Sequence, residues 1–566
     1  MSNLKLIGRF PQLASPIHPG GGIQNAVLLS LKRNVSTDTY DKIVNGYRRS
    51  TFSQEALIDD YLKGDVPKHK IIKDVVYYQA LDHVSQLFKT PQKYRPVSFP
   101  DLRFYPWPTS SSAEAPFSSS KKLRSDFQKL YELGLVQSPR LTFHNLYNHI
   151  FNYNRETIHR IKLGMKTDYH GRDARYWNTA HARSHLVESH EDDKIRMVFG
   201  VPKLLLQAEA MFLWPLINHL VNLDGNGPML WGFETLKGGW AKLYNWFHTQ
   251  RPKARTFLAF DWRQFDKRAQ FEVIDDIHDV LKSNIDFEHG YMPTKDYPET
   301  WTHPQKLENL WNWMTNAIKH TPDLLPDGRM YERQHAGIAS GFFQTQLLDS
   351  IYNAIMIFVS LIKMGINIST TGLKVQGDDS IVSLNEFIPK QVHQSFIDQF
   401  ANHADRYFGA VLNTKKSKMG NTLNGLPVLG FTNDNGYPTR DKEALLASLL
   451  YPERNTDQPR LMARAIGIAW ANCGVHSDVY EVCSDVYKRF QDEGFSPKMS
   501  GLPDIVKSQH LLFSRPAKDE KIPEEFPTFF ETIRHVQEIN FRSQSQKQLF
   551  WPTEAPGLTN WFISEY

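Results

Sequence analysis

The sequence predicts an α+β fold in which an antiparallel sheet is backed by helices, and three segments support this prediction. Residues 374–384, KVQGDDSIVSL, place a Gly-Asp-Asp turn between two runs of apolar β-formers, which is typical of a hairpin. Residues 256–260, TFLAF, predict a second buried strand, and residues 342–364 have the apolar content of one long core helix. Their order indicates one layer in which the ends of separate strands converge.

Carboxylates stand at the ends of these predicted strands. Asp261 follows TFLAF directly, Asp266 lies five residues further on, and Asp378 and Asp379 belong to the hairpin turn. If the strands are neighbours, Asp261 and Asp378 meet although 117 positions separate them. Carboxylates from different strands can hold two divalent cations about 3.5–4 Å apart, as phosphoryl-transfer sites require. The alternative is an ordinary solvated turn beside a strand-end cap, so other segments must decide.

The composition favours a folded protein with an uneven charge distribution. The chain has 566 residues, of which 41% are hydrophobic, enough for roughly three or four structural units. The first 203 residues contain 30 Lys and Arg against 19 Asp and Glu, a surplus of +11, whereas the whole chain carries +5. A basic first part beside a more acidic remainder fits a polyanion groove that faces a cation site. An ordinary solubilising surface is the alternative.

Cysteine content and hydropathy argue against two further classes. Cys473 and Cys483 are too few for a disulfide framework, and with His476 they match no common zinc spacing, so we expect small buried residues. The N-terminal residues lack the apolar run of a signal peptide. The longest apolar stretch, residues 351–368, is interrupted by polar residues such as Asn353, which indicates a core helix and no membrane partner.

Six segments resemble, in the expected order, the sequence motifs of viral RNA-directed RNA polymerases. The central three are DWRQFD (motif A), SGFFQTQLLDSIYN (motif B) and QGDDS (motif C). DDKIRMVFGVPKLL, LNTKKS and VLGFTNDNGYPTR are similar to motifs F, D and E. The amino-acid sequences of these segments are most similar to those of partitivirus polymerases, and picobirnavirus polymerases are the next candidate. The similarity covers about residues 180–455.

The resemblance implies a right-hand polymerase fold with fingers, palm and thumb. Its expected divisions are fingers with an N-terminal fingertip extension at 1–205, palm with motif A at 206–280, a fingers insertion at 281–330, palm with motifs B to E at 331–440, and thumb with the C-terminal region at 441–566.

The resemblance also implies a two-metal nucleotidyl-transfer site. Asp261, Asp378 and Asp379 are then the catalytic residues and the ligands of Mg²⁺, with Mn²⁺ tolerated. One ion would assist the attacking hydroxyl, and the other would stabilise the leaving pyrophosphate. Lys416, or its neighbour Lys415, stands where family members keep a Lys that protonates the pyrophosphate. A pair of exposed lysines is the alternative.

The basic segment before the motif A strand is expected to bind the incoming triphosphate. Its candidate residues are Lys194, Arg196 and Lys203, with Arg183 as a further candidate. Arg offers a planar fork for phosphate oxygens, and Lys offers a point charge. Solvated surface charge is the alternative for each.

Ser340, Gly341 and Thr345 are expected to bind the template or the triphosphate where the long helix starts. Backbone N–H groups and the positive end of a helix favour anions. Gly341 would also let this loop flex, and Thr345 lies one helical turn further on. An N-cap role for Ser340 is the alternative.

Asp266 is expected to select ribonucleotides by accepting a hydrogen bond from the ribose 2′-hydroxyl. Reverse transcriptases, which share this kind of palm, place a bulky aromatic residue at that spacing. Many viral polymerases have an Asn nine residues after the motif B Ser, but here that position is Asp349, and the nearest amide is Asn353. Asn353 is therefore the candidate. Asp266 and Asp349 would repel unless a cation, a basic neighbour or a shared proton intervenes.

The resemblance further implies partners and a location. An RNA template and product, nucleoside triphosphates and a viral coat protein are the expected partners. A segmented double-stranded RNA genome would be copied in the virion interior and the host cytoplasm. Two rival hypotheses remain: a reverse transcriptase, which Asp266 opposes, and a non-catalytic RNA-binding protein, which would leave the carboxylates unexplained.

Overall fold

The computed structural model describes residues 2–10, 24–136, 138–294, 297–453, 456–507 and 523–539. The predicted N-terminal extension at 11–23 and the C-terminal region at 508–522 and 540–566 lie outside these residues. The α-helices are Gln24–Asn34, Thr37–Gly46, Gln54–Leu62, Val75–Leu87, Lys121–Glu132, Tyr147–Lys162, Lys203–Asn222, Gly239–Gln250, Phe265–Arg268, Phe271–Lys282, Pro304–His320, Thr345–Lys363, His393–Phe408, Lys442–Leu450, Gln458–Ala471, Ser477–Asp492, Asp504–Lys507 and Phe529–Gln537. Short 3₁₀ helices span Pro100–Phe104, Thr235–Lys237, Ile368–Thr370, Lys390–Val392 and Met499–Gly501. The strands are Leu4–Arg9, Tyr47–Arg49, Asn178–Ser184, Leu186–Glu188, Ile195–Gly200, Thr256–Ala259, Trp262–Arg263, Asp323–Leu324, Arg329–Arg333, Gly372–Gln376, Asp379–Leu384, Val411–Leu412, Lys418–Gly420, Pro427–Val428, Phe431–Asp434 and Tyr437–Thr439.

A four-stranded sheet, here called the central sheet, carries both carboxylate segments. Its strand order is Gly372–Gln376, Asp379–Leu384, Thr256–Ala259 and Lys418–Gly420, and every neighbouring pair is antiparallel. The first two strands form the predicted hairpin, and the third is the predicted buried strand. The α+β class and the antiparallel sheet are therefore confirmed.

The central sheet is buried on both faces, because its apolar side chains alternate between two hydrophobic cores. Leu258 faces the larger core, which contains the long helix Thr345–Lys363 and the helix His393–Phe408. Phe257 faces the second core, to which helix Gly239–Gln250 and the helices after residue 441 contribute. Helices were predicted behind one face only. TFLAF is apolar at both alternating sets of positions, so both faces need cover.

Two helices among the described residues are long and apolar enough to cross a membrane. They are Lys203–Asn222 and Thr345–Lys363, and 89% and 78% of their most apolar windows are buried inside the protein. Burial on this scale is typical of core helices.

A five-stranded sheet lies beside the central sheet in the fold. Its strand order is Leu4–Arg9, Arg329–Arg333, Asp323–Leu324, Asn178–Ser184 and Ile195–Gly200. The last of these, here called the basic strand, contains the predicted triphosphate-binding arginine. Among the described residues, the basic strand lies at the edge of this sheet.

The N-terminal segments link the five-stranded sheet to the second core. Strand Leu4–Arg9 belongs to the five-stranded sheet, whereas helices Gln24–Asn34 and Thr37–Gly46 pack in the second core against helix Ser477–Asp492 and its neighbours. Strand Tyr47–Arg49 then returns to pair with a strand that precedes the basic strand. Residues 24–46 therefore pack with C-terminal helices, although the sequence grouped them with the rest of 1–205.

Candidate active site

The register of the central sheet brings the predicted carboxylates to one edge. Ile381 lies opposite Ala259 in an antiparallel pairing. Continuing that register by two residues sets Asp379 beside Asp261, with Asp378 next to them in the turn. The negative charge of Asp261 contributes to a raised pKa of Asp378, after the larger effect of burial, which confirms that the two groups are neighbours.

Hydrogen bonds from the long helix hold the Gly-Asp-Asp turn. Gly377 has φ +63°, a conformation that favours glycine, and its N–H donates to the Ser350 hydroxyl at 2.8 Å. Asn353 donates from Nδ2 to the carbonyl oxygens of Gly377 and Asp378, both at 3.0 Å. Its Oδ1 accepts from Trp262 Nε1 at 2.9 Å. The prediction that Asn353 contacts the ribose is wrong: it is fully buried, and its amide positions the turn.

The LNTKKS segment fixes the backbone of Asp261. The Asp261 N–H donates to Ser417 Oγ at 3.1 Å, and its carbonyl oxygen accepts from the Asn413 N–H at 2.7 Å. These bonds leave the Asp261 carboxylate exposed. Lys416 is also exposed, and its charge helps to lower the pKa of Lys194, so it lies within reach of the basic strand.

The carboxyl groups at this edge lie close to one another, and this proximity affects their protonation. Burial and the charge of Asp378 raise the pKa of Asp379 to about 7, although the Leu429 N–H donates to its carboxylate. Among the described residues, no three His, Cys, Asp or Glu side chains are close enough to enclose a metal ion. An open group of carboxylates, in which Asp378 and Asp379 have raised pKa values, fits divalent cations, because such ions supply positive charge that stabilises the ionised form.

The basic strand presents its cations on one face. Lys194 and Arg196 are exposed, and the residues between and after them, Ile195 and Met197, are buried. Arg183 lies opposite Arg196 on the neighbouring strand. Arg196 lowers the pKa of Asp378, against the larger effect of burial, so the basic strand faces the acidic edge.

His185 lies behind the basic strand and reflects its electrostatic potential. Its Nε2 is buried and accepts or donates no hydrogen bond. Burial lowers the pKa of His185 to about 3, and the charges of Arg196 and Lys194 contribute after burial. Burial is the main reason why the His185 imidazole is neutral, and the nearby Arg196 and Lys194 add positive potential, which favours a polyanion.

Two basic candidates have partners within the protein. Lys203 is only 5% exposed, and its Nζ lies 3.2 Å from Ser111 Oγ and 5.4 Å above the Phe143 ring. The prediction that Lys203 binds triphosphate is therefore wrong, because it starts a core helix. Arg183 makes an ion pair with Glu453 at 3.2 Å, which joins the basic sheet to the segment after helix Lys442–Leu450.

The start of the long helix differs from the prediction. The helix begins at Thr345 rather than near residue 342, and Gln344 is its N-cap, so the N-cap alternative for Ser340 is wrong. The N–H groups of Phe343 and Gln344 donate to the buried Glu209 carboxylate at 3.2 and 3.1 Å. The carboxyl group of Glu209 therefore already accepts the hydrogen bonds that an external anion would need at the start of the helix. Burial raises the pKa of Glu209 to about 8, against these hydrogen bonds.

The three predicted loop residues have different surroundings. Ser340 is exposed and available to a ligand. The Thr345 hydroxyl donates to the Ala339 carbonyl oxygen at 2.7 Å, so it closes the loop. A Cβ at Gly341 would overlap the Phe199 carbonyl oxygen of the basic strand. Glycine is required there because two backbones approach closely.

Asp266 and Asp349 are neighbours, as predicted. Burial raises the pKa of Asp349 well above its usual value, and the charge of Asp266 adds to the rise. Burial also raises the pKa of Asp266, although Lys267 and Arg196 lower it. Asp349 is 9% exposed, and its Oδ1 has no hydrogen-bond partner. The charge of Asp266 therefore favours the protonated form of Asp349, whereas burial, with the charges of Asp378 and Asp60, favours the protonated form of Asp266.

Asp60 is a site residue that the sequence did not reveal. Its carboxylate accepts from Lys267 Nζ at 2.7 Å and from the Met197 N–H at 3.2 Å. Lys267 follows the motif A segment and Met197 lies in the basic strand, so Asp60 fixes the spacing between Arg196 and the acidic edge. Helix Gln54–Leu62 offers no local signal for this role. Glu209 was missed for the same reason.

The two cysteines behave as predicted. Cys473 and Cys483 are fully buried, and burial raises the pKa of Cys473 to about 12. His476 contacts the Arg440 carbonyl oxygen through Nε2 at 2.9 Å.

Comparison with known proteins agrees with this geometry. The family described as viral RNA-dependent RNA polymerase matches residues 34–488. The RNA-directed RNA polymerase of White clover cryptic virus 1 (isolate Boccardo/2004) is 33% identical over 98% of this chain and 97% of its own length. The RNA-directed RNA polymerase of Atkinsonella hypoxylon virus (isolate 2H) is 27% identical over 70% of this chain and 64% of its own length. The chain therefore belongs to the viral RNA-dependent RNA polymerases, which are nucleotidyltransferases.

Proposed function

We propose that nucleotidyl transfer takes place at the edge formed by Asp261, Asp378 and Asp379, where nucleoside triphosphates are joined 5′ to 3′ on an RNA template. The observation that carries this proposal is the convergence of Asp261 and Asp378, which are distant in sequence, opposite the cations of the basic strand. In a right-hand description the central sheet is the palm, the five-stranded sheet belongs to the fingers, and the helices after residue 441 form the thumb.

Mg²⁺ is the proposed cofactor, with Mn²⁺ as a substitute. Asp261 and Asp378 would hold it, and Asp379 would assist. When bound, the ions supply the positive charge that activates the attacking hydroxyl and stabilises the leaving pyrophosphate. The chain itself keeps the carboxylates in place, because Ser417 bonds the Asp261 backbone and Asn353 bonds the turn.

The basic residues act on the triphosphate. Arg196 and Lys194 would pair with its phosphate oxygens, since both are exposed and lie within electrostatic range of the acidic edge, Arg196 of Asp378 and Lys194 of Asp261. Lys416 would donate a proton to the departing pyrophosphate. Ser340, exposed in the loop before the long helix, would contact the template.

Sugar selection would rest on Asp266 and Asp349. Asp266 would accept a hydrogen bond from the ribose 2′-hydroxyl. Asp349, in the position where Asn was expected, has an unpartnered Oδ1 beside it. Asn353 is excluded from this role by its own hydrogen bonds.

The biological setting follows from the relatives. A cryptic virus and an Atkinsonella virus encode the similar polymerases. We infer that this chain transcribes and replicates a segmented double-stranded RNA genome in the virion interior and the host cytoplasm. A coat protein would be its partner, and initiation would be primer-independent.

The test combines purified protein, single-stranded RNA, labelled nucleoside triphosphates and Mg²⁺. We expect full-length complementary product, which Asp378→Ala abolishes while RNA binding is retained. Asp82→Ala, at an exposed acid of helix Val75–Leu87 outside the six motif segments, is the control and should retain activity. Synthesis by Asp378→Ala at the wild-type rate would overturn the site assignment. Preference for deoxynucleotides would indicate a reverse transcriptase instead.

A further inference from the structure

A surface cavity of about 220 Å³ lies outside the acidic edge and outside the six motif segments. It opens between the short helix Pro100–Phe104 and the helix Tyr147–Lys162, and the residue Tyr297 closes one side. The side chains that matter to its chemistry are two arginines, three aromatic residues and an amide: Arg103, Phe104, Phe151, Asn152, Arg155 and Tyr297.

The cavity presents exposed aromatic rings beside an oriented guanidinium. Phe104 and Tyr297 are 44% and 39% exposed, although aromatic rings of this size are usually more buried. The Arg103 guanidinium lies 4.6 Å above the Phe151 ring, and its NH1 donates to Asn148 Oδ1 at 3.0 Å. Stacking and this hydrogen bond orient its remaining N–H groups before any ligand arrives.

The cavity is positively charged. Arg155 has no ion-pair partner among the described residues. Asp101, the acid in the lining, is fully buried and accepts from Ser98 Oγ at 2.6 Å and Thr294 Oγ1 at 3.2 Å, so it is turned inward. The positive potential continues along helix Tyr147–Lys162: burial lowers the pKa of Lys162 to about 8, and nearby cations including Arg155 contribute.

We propose that this cavity binds single-stranded RNA away from the catalytic edge, with phosphate oxygens on Arg103 and Arg155 and a base stacked on Phe104 or Tyr297. Positive grooves lined with aromatic rings bind single strands without sequence preference, because every base has a π face. The volume is below the roughly 300–1,000 Å³ of typical small-molecule sites, which favours one nucleotide of a chain over a whole cofactor. The inference goes beyond the proposed function, since it needs no participation of the carboxylates.

The primary test is photo-crosslinking of the full-length protein to a short single-stranded RNA that contains 4-thiouridine. We expect crosslinks at Phe104 or Tyr297 in addition to those in the catalytic channel. The double variant Arg103→Ala/Arg155→Ala should lose these crosslinks at least about tenfold. Arg124→Ala/Arg140→Ala removes two exposed arginines elsewhere and should leave them unchanged.

Equilibrium binding separates charge from stacking. For the Arg103/Arg155 double variant, the slope of log affinity against log salt should fall by about 1.4, since each phosphate contact on a single strand contributes about 0.7. Tyr297→Ala should weaken binding about fivefold with an unchanged slope, because stacking releases no counterions. All variants should keep the wild-type melting temperature and the catalytic crosslinks.

Three outcomes would overturn the proposal. The first is the absence of crosslinks at Phe104 and Tyr297 in the wild-type protein. The second is competition for these crosslinks by free nucleoside triphosphates at equal phosphate concentration, which would make the ligand a free nucleotide. The third is unchanged RNA binding in the double variant together with lost coat-protein binding, which would make the cavity a protein-docking site.

Discussion

The acidic edge of the central sheet and the polar groups buried behind it use similar side chains for opposite purposes. At the edge, the side chains of Asp261 and Asp378 reach solvent, but the protein atoms around Asp378 partly desolvate its carboxyl group and raise its pKa, and the charge of Asp261 adds to the rise. Behind it, Asn353 and Glu209 are fully buried and bonded to backbone groups. Polar groups without protein partners therefore remain available to ions and substrate, whereas polar groups with partners hold the backbone segments of the site in position.

The largest effect should come from the edge itself. Asp261→Asn preserves the shape of an exposed side chain but removes its charge, so we expect RNA synthesis to fall at least about 10³-fold. The melting temperature should stay within a degree or two of wild type, since the side chain supports no packing. Initial rates and thermal unfolding measure the two effects. A large loss of stability would show that Asp261 belongs with the buried groups.

A substitution behind the edge should affect both stability and rate. Asn353→Ala leaves Trp262 Nε1 and two carbonyl oxygens of the turn without partners, each costing about 1–3 kcal/mol when buried. We expect a lower melting temperature and synthesis reduced about 10- to 100-fold, because the carboxylates move.

The control for this substitution is Asn316→Ala, at an exposed position of helix Pro304–His320. It should change neither quantity. If Asn353→Ala keeps the wild-type stability and loses only the incorporation of ribonucleotides, Asn353 would have the sugar-binding role after all.

The pH dependence should distinguish the edge from its surroundings. Burial and the charge of Asp378 raise the pKa of Asp379 to about 7, so the carboxyl binds a proton in place of a cation at lower pH. Below pH 7 we expect the Mg²⁺ concentration for half-maximal synthesis to rise up to about tenfold per pH unit. Bound Mg²⁺ favours the charged form, so saturating Mg²⁺ should shift the midpoint to lower pH. A Mg²⁺ requirement that is constant from pH 5.5 to 8 would contradict this expectation.

The smallest effect should come from Asp60, which links the two sides of the site. Asp60→Asn weakens its contacts with Lys267 and the Met197 N–H, so the basic strand loses its fixed distance from the edge. We expect the KM for nucleoside triphosphates to rise about fivefold with little change in kcat. Asp59→Asn, at the exposed neighbour, should remain within twofold of wild type. Equal effects of the two substitutions would show that Asp60 acts only as a surface charge and does not position the basic strand.

Local patterns were sufficient where the physical cause is local. Runs of apolar β-formers predicted the strands around Asp261 and Asp378, and the Gly377 turn requires a positive φ that glycine adopts readily. The basic strand also alternates, which exposes Lys194 and Arg196 together. These features depend on residues one or two positions apart.

Predictions failed where a partner lies far along the chain. Lys203 is held by Ser111, 92 residues away, and the start of the long helix is capped by Glu209, 134 residues before Phe343. Neither partner carries a signal in its own neighbourhood. From the sequence, the N–H groups of the motif B segment were expected to be free. In the structure, two of them donate to the buried carboxyl group of Glu209.

The amino-acid sequence alone was sufficient for the secondary structure of the central sheet and for the polymerase family, and it predicted Asp261, Asp378 and Asp379 as the catalytic carboxylates. The tertiary structure was needed to show which polar residues of the motifs remain accessible and which already form hydrogen bonds inside the protein. The reason is physical: a strand or a turn depends on adjacent residues, whereas burial of a polar group is stable only when a distant segment supplies its hydrogen-bond partner.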